Sequence, residues 1–258
     1  MKISKIILYN EPSVPEINIK RAKKFILETF DVDIQIRENI FQNLNEKMCE
    51  KIASTRIFNL KKSYKKHTPS IKEISIELDN KDMSNEQEMI LYDGIELNKI
   101  IKETVPAAEN TLNTLHIIFT NKLTCTFDES DFRYHARAWV GSNPIIISTT
   151  GIIEAPAKPK QFYMDLMTNF SEETLEEIKK KYKGEFLEYK DSKLPEVVEG
   201  YILQAIFYYE TGDVFCDNKQ CRLFNAHWQK DLFISQIENK KMCEKHEKIL
   251  AEMKNNIS

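Results

Sequence analysis

The opening of the chain limits the fold more than any other stretch. "SKIILYN", residues 4–10, is a run of β-branched and aliphatic residues closed by Asn-Glu-Pro, which reads as a buried strand. "INIKRAKKFILETF" follows, with Ile19, Ala22, Phe25 and Ile26 at helical spacing. "VDIQIREN" then alternates Val32, Ile34 and Ile36 with polar residues, the pattern of a half-buried strand. Strand, helix and strand in succession call for an α/β architecture, because the two strands need a crossover between them.

Later segments extend this reading. "NEKMCEKIASTRIF" has a helical pattern, "KKSYKKHTPS" reads as a basic loop, and "IKEISIEL", residues 71–78, reads as a strand. The segment from Asn80 to Pro106 begins polar and turns helical, and "NTLHIIFTN" is a strong strand. In "RYHARAWV" the alternation places Arg133, His135, Arg137 and Trp139 on one face. Gly141 to Pro144 form a turn and "IIIST" is a second strand, so residues 133–149 are expected to form a hairpin. A Pro-punctuated segment from Gly151 leads into a helix. "SEETLEEIKKKY" is a helix with Ser171 as its N-cap. The longest apolar helix starts after Pro195 and ends at Gly212, and a final helix in two segments closes the chain. The expected fold is α/β (α+β), a single domain over residues 1–258 with one mixed, twisted sheet. Residues 1–160 would be sheet-rich, and residues 161–258 helix-rich.

The chain has 258 residues, with 41% hydrophobic content and a formal net charge of -3. That suits a folded protein and gives no basic excess for a dedicated nucleic-acid module. No apolar run approaches the roughly 20 residues that cross a bilayer, and Ile6 to Tyr9 is too short for a signal-peptide core. A cytoplasmic location without membrane contact is expected. There the five cysteines would be reduced, and close spacing among them points to metal before disulfide.

Cys216 and Cys221 enclose four residues, and after a further 21 come Cys243 and His246 in C-x-x-H spacing. Residues three apart share a helix face, so Cys243 and His246 can meet one ion while Cys216 and Cys221 close a knuckle around it. Three thiolates and an imidazole are a common ligand set for closed, structural zinc. His227, shortly after Cys221, is a competing fourth ligand. Cys49 and Cys125 stand apart from this set and read as ordinary apolar residues.

The order of elements around these residues resembles the archaemetzincins, zinc metallopeptidases of the metzincin group. Their pattern runs H-E-x-x-H-x-x-G-x-x-H-C-x4-C-x-M, followed further on by C-x-x-C. With Cys216 and Cys221 on C-x4-C, Gly212 falls on the family's glycine, and Cys243 and His246 fall on the last pair, His replacing Cys. The resemblance therefore implies a structural zinc on Cys216, Cys221, Cys243 and His246. The catalytic half departs from the pattern. The three histidines fall on Ala205, Tyr209 and Phe215, the glutamate on Ile206 and the methionine on Leu223. The blocks "RYHAR", "STTGIIEAPAKP" and "CRLFNAHWQ" also resemble an archaeal family described as metallopeptidases.

Three functional expectations result. The first is a metallopeptidase-like protein with one structural zinc and a degenerate catalytic site, binding a peptide or protein through Arg133, His135 and Arg137. The second is an active metal-dependent hydrolase whose site is rebuilt from His135, His227 and Glu210. The third is a nucleic-acid-binding zinc module using Arg133, Arg137 and the loop "KKSYKKH", which the near-neutral charge disfavours. His116, inside an apolar strand, reads as a satisfied core histidine, and His67 as a solvated loop residue.

Overall fold

The computed structural model describes residues 1–42, 44–79, 89–168 and 172–255. Its first elements are β1 (Lys5–Tyr9), α1 (Ile19–Phe30), β2 (Asp33–Arg37), α2 (Glu46–Ala53), α3 (Ile71–Asp79), β3 (Leu91–Asp93) and α4 (Gly94–Lys102). A run of strands follows: β4 (Thr114–Thr120), β5 (Leu123–Asp128), β6 (Arg133–Ala136), β7 (Trp139–Gly141) and β8 (Ile145–Ser148). The remainder is helical: α5 (Thr149–Glu154), α6 (Lys160–Thr168), α7 (Glu172–Lys181), α8 (Leu194–Thr211), α9 (Gln229–Phe233) and α10 (Glu244–Asn255).

β1, β4 and β8 are buried almost throughout, as strands of a parallel sheet covered on both faces must be. The large sheet has the order β2-β1-β4-β8-β7, with β7 antiparallel to β8 and the other pairs parallel. Alternation sends Ile6, Leu8, Ile117, Phe119 and Ile147 into one core with α1, α5 and α8. Ile7, Tyr9, Ile118 and Ile146 point the other way, onto Ile52 of α2 and Leu97 and Ile101 of α4. A second mixed sheet, β3-β5-β6, lies apart from the first, where the sequence reading expected one sheet.

α8 is the axis of the first core. Every residue from Val197 to Phe207 is buried, so this helix has no solvent face to give it an amphipathic pattern. Gly212 ends it with φ at 81°, a left-handed conformation that glycine adopts without steric cost. Gly200 serves closeness instead. A Cβ there would collide with Gln236 Oε1, because Ile234–Asn239, a turn of π-helix after α9, lies against α8 at this point. The final helical stretch thus divides into α9, this π-turn and α10, with Lys240 at φ 56° between them.

Two sequence expectations are corrected. Residues 71–78 are helical, within α3. The stretch Ser70-Ile-Lys-Glu73 is a capping box, in which Ser70 N–H donates to Glu73 Oε2 at 2.8 Å and Glu73 N–H donates to Ser70 Oγ at 3.3 Å. Arg56 Nη2 docks on this helix, donating to the Glu73 main-chain carbonyl at 3.2 Å and to the Glu77 carboxylate at 2.6 Å. The expected 133–149 hairpin forms only over β7 and β8 and does not extend back through β6. β6 pairs with β5 in the small sheet and β7 with β8 in the large one. The chain passes between the sheets at Arg137, whose N–H donates to Thr124 O at 2.8 Å and whose carbonyl presses on Gly151 of α5. The four residues expected on one face are therefore split between two sheets. The proposed cap Ser171 and residues 80–88 lie outside the described residues.

Candidate metal centre and adjoining groove

The knuckle follows directly from the end of α8. Cys216 N–H donates to Leu223 O at 2.9 Å, and Cys221 N–H donates to Asn218 O at 2.9 Å, which folds residues 216–223 back on themselves. Cys243 precedes α10, and its carbonyl accepts His246 N–H at 2.9 Å, so the two side chains leave the same helical turn. Arg222 N–H donates to Lys241 O at 2.8 Å and draws the two segments together.

One potential ligand atom from each of Cys216, Cys221, Cys243 and His246 lies within 4.8 Å of all the others. Cys216 Sγ and Cys243 Sγ are 3.8 Å apart, Cys221 Sγ and His246 Nδ1 3.6 Å, and Cys243 Sγ and His246 Nδ1 3.1 Å. A tetrahedron with zinc–sulfur and zinc–nitrogen bonds of normal length has S–S edges of about 3.8 Å and S–N edges of about 3.6 Å. The donor set therefore fits a closed tetrahedral ion, with His246 binding through Nδ1.

The surroundings act differently on the individual ligand groups. Asn218 N–H donates to Cys216 Sγ at 3.4 Å and Cys243 N–H to Cys221 Sγ at 3.3 Å, contacts that stabilise thiolates. Burial pushes the Cys221 thiol up to about 12 when no cation is present. Burial also acts to raise Cys243, but the His246 backbone N–H and the neighbouring sulfurs outweigh it and hold this thiol below its ordinary value. Burial lowers His246, helped by the charge of Lys245, so its ring is kept in the neutral, ligating form. The Phe207 ring of α8 meets the His246 ring edge-on at 5.9 Å. Arg222 donates to Glu199 Oε2 at 3.1 Å and thereby ties the knuckle to the buried side of α8.

Next to the knuckle, a groove of about 450 Å³ runs between β6, β7 and α8. Trp139, Tyr201, Tyr208 and Phe215 supply its rings, with Arg137 and His227 among its polar lining. Trp139 lies 5.4 Å from Tyr208 and 6.4 Å from Phe215, centroid to centroid. Among the described residues no Asp, Glu or Cys lines it.

The chain belongs to the family described as "Probable metallopeptidase family (DUF6775)". The family's model matches residues 2–253. No curated protein matches the sequence. Two solved structures are similar in outline to this family member. One is the archaemetzincin of Methanopyrus kandleri, at 9% identity and a TM-score of 0.47, covering 98% of this chain and 96% of that one. The other is a zinc-dependent peptidase of Methanocorpusculum labreanum, at 10% identity and a TM-score of 0.47, covering 95% of this chain and 99% of that one.

The remaining sequence candidates scatter. His227 is exposed and outside the cysteine cluster, its Nε2 3.3 Å from Asn225 Nδ2, and the fourth ligand position belongs to His246. Of the expected basic row, Arg137 lines the groove, whereas Arg133 and His135 do not. His135 Nε2 instead meets Asp131 at 2.8 Å, and the two form, with Asp128, a surface trio of potential ligand atoms. Glu210 is occupied by the chain start, accepting the N–H groups of Lys2 and Ile3 at 2.8 Å each. His135, His227 and Glu210 therefore do not converge on one site.

Of the positions matched to archaemetzincin ligands, Ala205 is buried and Phe215 lines the groove, while the Tyr209 hydroxyl donates to Leu112 O at 3.1 Å. His116 is the satisfied core histidine expected, 3.1 Å from the Tyr9 hydroxyl. His67 is engaged by Glu73 at 3.0 Å, where a solvated ring was expected. Sequence reasoning missed Tyr201 and Tyr208 as groove residues. Their seven-residue spacing puts them on one face of a helix, but in a helix apolar on all sides that spacing carries little contrast.

Proposed function

We propose that this is a metallopeptidase-like protein that keeps one structural zinc and binds peptide or protein segments without cleaving them. The composition of the groove is the observation that carries this reading. A zinc hydrolase needs an open metal position and a carboxylate that takes a proton from its water. Among the described residues, this groove offers His227 as its one metal-binding side chain type, and it offers no carboxylate. The metal chemistry is concentrated in the neighbouring cluster, where three cysteines and a histidine would fill all four positions of a tetrahedral ion.

In this reading Cys216, Cys221, Cys243 and His246 hold the zinc, which when bound cross-links the end of α8 to the start of α10. Arg137, Trp139, Tyr208 and Phe215 contact the peptide. No helix among the described residues is long and apolar enough to cross a membrane. The test is a peptide library incubated with zinc-loaded protein, with cleavage read by mass spectrometry and binding by Trp139 fluorescence in a Trp228→Phe background. Binding without cleavage is expected. Cleavage that a chelator stops would overturn the reading.

A further inference from the structure

The groove carries a more specific instruction about its ligand. Arg137 is fixed at its backbone by Thr124, and its Nε donates to Thr126 Oγ1 at 2.7 Å. Its outer guanidinium nitrogens make no hydrogen bond or ion pair among the described residues; no carboxylate lines the groove, and Asp128 outside it feels the Arg137 charge without a direct contact. A guanidinium held by Nε presents its remaining N–H groups in a planar fork, the geometry that matches a carboxylate. Beside it stand the rings of Trp139, Tyr208 and Phe215.

A second observation points the same way. Tyr201 is 7% exposed and lines this groove, and its hydroxyl, which makes no hydrogen bond among the described residues, is the part left accessible. That hydroxyl is free to donate to an acceptor brought by an occupant. The edge of the sheet sets the length of chain that fits. Ser148 N–H donates to Ala138 O at 2.8 Å, so by antiparallel alternation Val140 faces β8 and the main-chain groups of Trp139 point outward. β7 has three residues, and Asn98 and the Pro144 carbonyl crowd its Gly141 end. Such an edge can pair with the last residue or two of a chain but not with a strand running through. The volume falls within the roughly 300–1,000 Å³ of small-ligand sites.

We propose that the groove takes the C-terminal residue of a peptide: the terminal carboxylate on Arg137, and a large apolar or aromatic side chain among Trp139, Tyr208 and Phe215. This rests on the peptide-binding reading above and names the end of the chain that is bound. The main-chain N–H and C=O of Trp139 pair with the bound residue, and the Tyr201 hydroxyl donates to its acceptor groups.

The test uses acetylated tetrapeptides ending in Phe, titrated into the full-length, zinc-loaded Trp228→Phe protein and read by calorimetry and Trp139 fluorescence. Three forms are compared: the free acid, the C-terminal amide, and an amide with Glu in place of the residue before Phe. The free acid is expected to bind about tenfold to a hundredfold more tightly than either amide. Arg137→Gln is expected to remove that difference. Because the central comparison varies the peptide, it does not depend on any groove variant folding. If acid and amide perturb Trp139 with equal affinity, or the Glu-containing amide matches the free acid, recognition of the C-terminus is overturned while peptide binding stands. If no peptide perturbs Trp139, the peptide-binding reading is overturned as well.

Discussion

Two clusters of polar side chains are built into this molecule, and they are completed in opposite ways. On the α3 side, Glu77 is buried among its own counter-charges. Lys122 Nζ donates to it at 2.6 Å, Arg56 Nη2 at 2.6 Å and the Tyr92 hydroxyl at 2.8 Å. At the knuckle, three sulfurs and a neutral imidazole face one another with no cationic side chain among them. The first cluster is electrostatically complete within the chain. The second gathers three sulfurs and an imidazole nitrogen at the spacing of the ligands of one tetrahedral ion. Burial has different consequences in the two places. It fixes a salt-bridged core at Glu77 and raises the thiol of Cys221 in a cluster that could hold a metal.

The largest expected effect separates the two clusters by chelation. Removing metal with a strong chelator, or making Cys221→Ser, should lower stability by on the order of 5 kcal/mol or more, since binding energy at a structural zinc is folding energy. Thermal unfolding followed with and without added zinc checks this, and the Glu77 cluster should be unaffected by chelator. Next in size, Lys122→Ala leaves Glu77 with one charged partner in a buried site and should cost about 3–5 kcal/mol by denaturant titration, with zinc content unchanged. Gly200→Ala should cost about 1–3 kcal/mol, because the added methyl must displace Gln236, which also holds the Arg222 carbonyl at 2.8 Å.

Acid should also distinguish the clusters. Burial acts to raise Glu77, but Lys122 and Arg56 outweigh it and hold the carboxyl below its ordinary value of 4.5. A carboxyl depressed in the folded state adds stability that is fully present above the unfolded value and is lost as pH falls through the folded one. The Glu77 cluster should therefore persist below pH 4.5, whereas protonation of the ligands should release zinc at milder acidity. Paired measurements of zinc release and of near-ultraviolet circular dichroism during acid titration would resolve the two steps. The smallest effect is expected at Cys49, which is fully buried in α2. Cys49→Ala should leave zinc content unchanged and cost about 1 kcal/mol.

The two clusters also differ in how far the sequence announced them. The knuckle was legible because metal ligation imposes short, countable spacings: Cys216 and Cys221 in one loop, Cys243 and His246 on one helical turn. The Glu77 cluster draws Arg56, Glu77, Tyr92 and Lys122 from separate elements, and nothing in local spacing links them. Its helix was misread as a strand for the related reason that Ile71, Ile74 and Ile76 favour strands, although the capping box at Ser70 and Glu73 argued for a helix. The parallel core was legible from β1, β4 and β8, whose continuous apolar runs reflect burial on both faces. The break between β6 and β7 was not, because Arg137 continues the alternation in sequence while its backbone crosses between sheets.

Zinc stoichiometry measured by native mass spectrometry, on protein purified without an affinity tag, tests the central claim most directly. One zinc per chain is expected in the unmodified protein and in His227→Ala, and none in Cys221→Ser. No zinc in the unmodified protein would contradict the knuckle as a metal site. Two zincs per chain, or loss of the metal in His227→Ala, would contradict its role as the sole structural centre.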